Sequence, residues 1–279
     1  MLRNKILITN DDGVDSPGLL ALAIEMEKIG DVTILAPDKN WSASGHSRAL
    51  DRPLRVKEIQ LPNGMGAFAA DGSPADCVAL GVRGFLPFKP DLVVSGINTS
   101  ANLGQDVIYS GTVAAAMEAA VWGIPAIAVS QDAPAIIATP RDYSAAAFYC
   151  RQIVETRLIH HLQPRIVLNV NIPPVPMNEI KGICATRLGT RVYHDLVERH
   201  ADPRGKAYYW LAGKSPDGIP SKGSDIGAVA DGFVSVTPLH LDLTEYFQLR
   251  EISSWDWNDR MAIQLPVKAA LHPMLSEIN

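Results

Sequence analysis

Two adjacent carboxylates, Asp11 and Asp12, follow an apolar run, Lys5 to Thr9, within the stretch KILITNDDGVDSPG at residues 5–18. Neighbouring side chains inside a strand point to opposite faces. Where the chain leaves the strand and bends at Gly13, both acids can reach one point and share a cation. Taken alone, Asn-Asp-Asp-Gly reads first as a solvated turn, because these residue types form turns for local reasons. Further oxygen donors arriving at the same edge would make it a site.

Two more loops bring such donors. Ser42 lies in the polar segment after a second apolar run, residues 32–36, and Asn98 follows a third, residues 91–96. Asp11, Asp12, Ser42 and Asn98 together offer two carboxylates, a hydroxyl and an amide carbonyl. This hard-donor set suits Mg²⁺ or Mn²⁺, or Ca²⁺, rather than zinc, and it leaves coordination positions for water and substrate. One divalent ion per subunit is the expected cofactor, with Asp11 and Asp12 as the catalytic pair. Ser110, Gly111 and Thr112 open an alanine-rich helix whose free N–H groups can cradle a phosphate. Asn10, Asn102 and His46 complete the expected substrate-binding set, His46 also as a proton donor to a leaving oxygen. A metal beside an anion cradle points to phosphate ester hydrolysis. An aspartyl-nucleophile phosphatase spaces its acids two apart, whereas these are adjacent. A dinucleotide-binding module would carry G-x-G-x-x-G after its first strand, and this chain does not.

The elements that must position these residues alternate between strand and helix. Helical spacing of Leu19, Leu22, Ala23 and Met26 follows Ser16-Pro17, a capping hydroxyl before a proline suited to the first turn. The spacing and composition predict strands at 5–9, 32–36, 54–57, 66–69, 91–96, 124–130, 165–173 and 232–239. Helices are expected at 75–81, at 113–122, from Tyr143 to Leu162 with Asp142 as N-cap, and at 266–275. Through about residue 180 this is a Rossmann-like, doubly wound, mostly parallel α/β sheet, whose ligands bind at the carboxyl ends of the strands. Residues 181–279 are expected to add to the same single domain a long hairpin around 202–205, a returning strand and a terminal helix, with Tyr208, Tyr209 and Trp210 forming an apolar arm that packs on a partner subunit or covers its own domain.

The 279 residues are 47% apolar, enough for a buried core, and the formal charge of −5 comes without a lysine or arginine run for coating nucleic acid. Three cysteines without C-x-x-C spacing indicate neither a disulfide framework nor a thiolate zinc site. With the first strand starting almost at once and no apolar run of spanning length, the expectation is a cytoplasmic protein with no membrane partner.

The motifs TNDDGVDSPG at 9–18, APDKNWSASGHS at 36–47, SGINTSANLGQDVIYSGTVAAAMEA at 95–119, DPRGKAYYWLAG at 202–213 and the later SDIGAVADGFVSVTPL closely resemble the SurE (survival protein E) family in order and over nearly the whole chain. By that resemblance Asp11, Asp12, Ser42 and Asn98 match the family's metal-ligand positions. The resemblance implies a divalent-metal-dependent 5'-nucleotidase acting on nucleoside monophosphates, with short polyphosphate as a further substrate. It also implies a homodimer or homotetramer built through a subunit-swapped C-terminal arm. Trp41, Ala43 and Ser100 depart from the family pattern, where a basic residue, a glycine and a glycine are usual.

Overall fold

In the computed structural model the first apolar run is strand β1 (Asn4–Thr9), buried from Ile6 onward. The structure describes residues 3–132, 141–156, 162–163 and 165–255, with Asp195 and residues 212–216 by backbone alone. A strand buried on both faces needs a layer on each side. Ile6 and Ile8 pack with helices α1 (Pro17–Met26) and α4 (Ser144–Glu155). Leu7 packs in the opposite layer with α2 (Pro74–Leu80) and α3 (Gly111–Val121).

The sheet also contains β2 (Gly30–Pro37), β3 (Val56–Gln60), β4 (Gly66–Ala70), β5 (Leu92–Asn98), β6 (Ala126–Gln131), β7 (Ile166–Ile172), β8 (Ile183–Ala185) and β11 (Val234–His240). The nine strands run in the order β3-β4-β2-β1-β5-β6-β7-β11-β8. Every pairing from β4 through β7 is parallel, so the loops after β2, β1, β5 and β6 empty at one edge. Antiparallel pairing enters at both flanks. β3 meets β4 through a short hairpin turn, which cannot join parallel strands, and β11 runs against β7. Two long strands, β9 (Thr190–Ala201) and β10 (Ala207–Ile219), pair only with each other among the described residues and form the expected hairpin. Helix α5 (Asp225–Ala230) leads from the hairpin back to β11.

Several expectations change. The parts of the chain before and after residue 180 share one sheet, which β11 and β8 extend, and the chain through Leu241 is one compact unit. Residues from Asp242 form a second unit, whose helix α6 (Tyr246–Ser253) is capped by the Glu245 carboxylate and was not expected from the sequence. The expected helix at 266–275 lies outside the described residues. Helix α4 ends at Glu155, and Tyr143 rather than Asp142 occupies its N-cap position. The Asp142 carboxylate still accepts from the Ser144 backbone N–H at 2.8 Å, one residue farther out. Residues 157–161 lie outside the description, and β8, three residues long, was too short for periodicity to reveal. No described helix is long and apolar enough to cross a membrane.

Ser16 caps α1 as its spacing predicts, and the first turn of that helix presses on the end of β5. A Cβ at Gly18 would stand 2.4 Å from the Ile97 carbonyl oxygen, one residue before Asn98. Gly18→Ala is therefore expected to lower the unfolding free energy by about 1–3 kcal/mol in urea titrations. An unshifted midpoint would show that this contact is slack.

Candidate metal and phosphate site

The first turn is held by its own asparagine. Asn10 Nδ2 donates to the Gly13 carbonyl (2.9 Å) and to Ser16 Oγ (2.7 Å), and its Oδ1 accepts from the Gly13 N–H (3.2 Å). Gly13 has φ +104°, a conformation that favours glycine. Asn10 is thus buried within the turn and joined to the cap of α1. Its amide shapes the position of the two acids rather than standing free for a substrate.

Asp11 turns back onto the start of α3. It is only 3% exposed, and its Oδ1 accepts from Thr112 Oγ1 at 2.5 Å. A Cβ at Gly111 would lie 2.8 Å from the Asp11 Cβ and 3.0 Å from Ser44 Oγ, so glycine is what allows helix, acid and second loop to meet. Burial raises the Asp11 pKa to about 6. The Thr112 hydroxyl and N–H oppose that rise, and the neighbouring Asp12 charge adds to it. The helix start expected to cradle phosphate therefore holds an anion of the protein itself. Ser110 caps the helix, its Oγ accepting from the Val113 N–H at 3.0 Å, and Thr112 is committed to Asp11.

Asp12 is half-buried, and burial raises its pKa too, against lowering by Thr99 and by the Arg141 charge. Its Oδ1 has only long contacts, to Thr99 Oγ1 at 3.5 Å and Asn40 Nδ2 at 3.4 Å. Its Oδ2 is buried with no hydrogen-bond partner. A buried carboxylate oxygen without a donor is costly unless something cationic meets it. Asn98, 9% exposed, donates Nδ2 to the Ser100 carbonyl at 2.8 Å, which leaves its amide oxygen as the end available to a cation. Ser42 is exposed on the second loop, its N–H donating to Asn40 Oδ1 at 2.8 Å. That loop is tied to the first turn by the Trp41 N–H to the Asp11 carbonyl (2.7 Å) and to the third by the Gly45 N–H to the Tyr109 carbonyl (3.0 Å). Asp11, Asp12, Ser42 and Asn98 so come from three loops at one edge, and the chemistry of this donor set fits Mg²⁺ or Mn²⁺. Among the described residues no cluster of three His, Cys, Asp or Glu side chains offers an alternative metal centre.

Two expected binding residues are engaged elsewhere. His46 Nε2 meets Glu118 Oε2 at 2.8 Å, seven residues along α3 from Gly111, or about 10 Å of helix rise. Glu118 also accepts from Arg48 and from Trp122 Nε1. Burial alone would raise its pKa, but His46, Trp122 and Arg48 together hold it below the usual carboxylate range. An ionised Glu118 accepts only, so the His46 proton on Nε2 is donated to it. Asn102 is buried behind the third loop. Its Nδ2 donates to Ser130 Oγ (2.8 Å), and its backbone is bridged by Asn169 and Asn171 of β7.

Of the three departures from the family pattern, Ala43 has φ +56°, where glycine would be unstrained, while Ser100 is not among the left-handed residues. Beside Trp41, Lys39 Nζ lies 5.4 Å from the indole ring, so a basic group stands on this loop after all. Sequence reasoning missed Thr99 and Arg141. Arg141 Nη1 donates to the Thr99 carbonyl, next to Asn98. The available signal was topological, since Arg141 lies in the loop after β6, at the same sheet edge.

A family model described as "Survival protein SurE" matches residues 6–195. The chain is 51% identical to "5'-nucleotidase SurE" of Herpetosiphon aurantiacus, over 91% of this chain and 99% of the relative. It is 47% identical to "5'-nucleotidase SurE" of Geobacter sulfurreducens, over 90% and 93%. The crystal structure of the SurE protein from Aquifex aeolicus superposes with a TM-score of 0.75 at 42% identity, covering 89% of this chain and 98% of that one.

The buried Asp11 carboxylate makes stability depend on pH. Below 3.8 the acid is neutral in both states. As the pH rises toward 6 the unfolded chain loses this proton first, and above about 6 the folded chain carries the charge at a cost of roughly 3 kcal/mol. In EDTA-treated protein Asp11→Asn is expected to raise the unfolding free energy by up to about 3 kcal/mol at pH 7.5 and by little at pH 4, read by urea denaturation. An equal gain at both pH values would show that charge burial is not the cause.

Proposed function

Because the chain belongs to the SurE family, we propose that it is a divalent-metal-dependent phosphomonoesterase hydrolysing nucleoside 5'-monophosphates to nucleoside and phosphate, with short-chain polyphosphate as a second substrate. The family match and the relatives named 5'-nucleotidase support an enzyme of that type. The observation that carries the metal dependence is the buried, unpartnered Asp12 Oδ2 beside a second carboxylate in a turn braced from three sides. Asp11, Asp12, Ser42 and the amide oxygen of Asn98 would hold one Mg²⁺ or Mn²⁺. Bound there, the ion supplies charge neutralisation for the phosphoryl group and a lowered pKa for an attacking water.

The chain's own residues do the positioning. Thr112 fixes the rotamer of Asp11 through a hydroxyl bond, so one carboxylate is set by the helix and the other stays open on one oxygen. Gly111 lets the helix start approach, which brings the positive end of α3 to the phosphate side of the turn. His46, held on Glu118, acts on the path of the second loop, and the reading does not require it as the acid. Three free cysteines fit a cytoplasmic enzyme, and burial pushes the Cys150 thiol up to about 12, away from reactive chemistry.

The arm supports a homodimer or homotetramer. Leu196, Val197, Tyr209, Trp210 and Leu211 are exposed on β9 and β10, an apolar surface of the kind that meets another copy. At its base Arg191 Nε and Tyr193 Oη bond the Asp106 carboxylate at 2.7 and 2.9 Å, anchoring the hairpin to the segment that precedes α3.

Asp11→Asn combined with Asp12→Asn is expected to remove metal-dependent phosphate release from nucleoside monophosphates by at least roughly a thousandfold, with Mn²⁺ binding lost and circular dichroism unchanged. Retained turnover in the double variant would sink the reading. Trp210→Ser with Leu211→Ser is expected to shift the protein toward monomer in light scattering, and an unaltered mass would remove the arm from the assembly.

A further inference from the structure

Arg141 presents an unused recognition edge beside the acidic turn. Its Nη1 donates to the Thr99 carbonyl, while Nε and Nη2 are buried with no hydrogen-bond partner. Those two nitrogens lie side by side on one edge of the planar guanidinium, the edge that binds a carboxylate or phosphate through two parallel N–H···O bonds. Tyr143 lies beside the group as well, its ring centroid 5.8 Å from the central carbon and its hydroxyl interacting with the guanidinium without meeting Nε or Nη2 at hydrogen-bond geometry. Asp12 Oδ2 is likewise buried and unpartnered, and Thr99 links the two residues, its carbonyl accepting from Arg141 and its hydroxyl 3.5 Å from Asp12 Oδ1.

No hydrogen bond or ion pair joins this unsatisfied anion and this unsatisfied cation, although Thr99 contacts both. Buried N–H donors and a buried carboxylate oxygen each lose solvation on folding, and both recover it only if a third party fits between. That party must offer a positive charge to Asp12 and two oxygens to Arg141. A cation-bound phosphate does both.

We infer that Arg141 is a phosphate clamp, taking two oxygens of the substrate's phosphate on Nε and Nη2 while the acidic turn faces the cation side of the same group. This rests on the phosphomonoesterase reading and deepens it by naming the residue that recognises the phosphate. It also resolves where that recognition comes from, since the start of α3 is largely engaged with Asp11. Thr99 is the positioning residue: its carbonyl sets the clamp and it adjoins Asn98, so clamp and metal-ligand loop keep one spacing.

Calorimetric titration of inorganic phosphate into the Mn²⁺-loaded protein tests this, with Mn²⁺ titrated separately into the metal-free protein. Arg141→Met is expected to weaken phosphate binding roughly ten- to a hundredfold, while Mn²⁺ affinity is unchanged or tighter. Arg141→Lys keeps the charge and the fold but not the fork, and is expected to recover only a minor part of the loss. Equal phosphate affinity in wild type and Arg141→Met overturns the clamp. So does a loss matched by an equal loss of Mn²⁺ affinity, which would make Arg141 a brace for the loop, or full recovery with lysine, which would make it a point charge. Phosphate release from adenosine 5'-monophosphate is measured alongside. Arg141-dependent phosphate binding in a wild type that releases none would remove the proposed activity and leave the clamp standing.

Discussion

The Asp11 carboxylate, nearly dry at the mouth of α3 and one residue from a second acid, is held by little more than a hydroxyl and an N–H of Thr112. Burial is what raises its pKa to about 6, so the folded chain works against this arrangement at neutral pH. The surrounding structure over-determines it. Asn10 closes the turn from within, the Trp41 N–H pins the Asp11 carbonyl, the Val14 N–H reaches the Pro37 carbonyl at 2.8 Å, and the bare Gly111 fits against the side chain. Strain of this kind persists only where packing leaves no alternative conformation, and it is relieved when a ligand supplies the missing charge.

Helix α3 sets two carboxylates at opposite electrostatic conditions. At its start Asp11 has too few partners and rises. Seven residues on, Glu118, also buried, collects His46, Arg48 and Trp122 and falls. Arg48 continues the network to the buried Asp76 of α2, whose carboxylate also completes the capping box with Ser73. The second loop is therefore stapled twice, at Trp41 to the acidic turn and at His46 and Arg48 to the flank of α3. Ser42 is the exposed tip between the staples. Its position depends on the partners of its loop neighbours Trp41, His46 and Arg48.

Much of the architecture was legible because a parallel sheet writes itself as apolar runs separated by capped helices. Ser16-Pro17 and Ser110-Gly111 marked helix starts correctly, and the donors Asp11, Asp12, Ser42 and Asn98 could be assigned to one edge by strand order alone. The roles of individual side chains were not legible. His46 and Asn102 carry the right chemistry for binding, but their partners Glu118 and Ser130 lie 72 and 28 residues away, and no local pattern encodes such pairings, whereas Asn10 closes its own turn on Gly13. Arg141 was overlooked for the converse reason. A single arginine between a strand and a helix has no motif, and it becomes visible only when the Thr99 carbonyl and the unpartnered edge of its guanidinium are seen together.

A further constraint explains why the cradle and the acids could not be separate devices. The start of a helix carries roughly half a positive charge, enough to favour one anion and too little for two at close range. Here Asp11 already lies against that end, so a phosphate arriving at the same edge meets a partly neutralised dipole and two carboxylates. Its dianion would be repelled unless further positive charge arrived from elsewhere. In the proposed reading a divalent ion on the acids would supply part of that charge, and the Arg141 guanidinium in the loop after β6 would supply the rest. The adjacency of Asp11 and Asp12, with one carboxylate locked to the helix and the other left with a bare oxygen, is why the proposed reading calls on both.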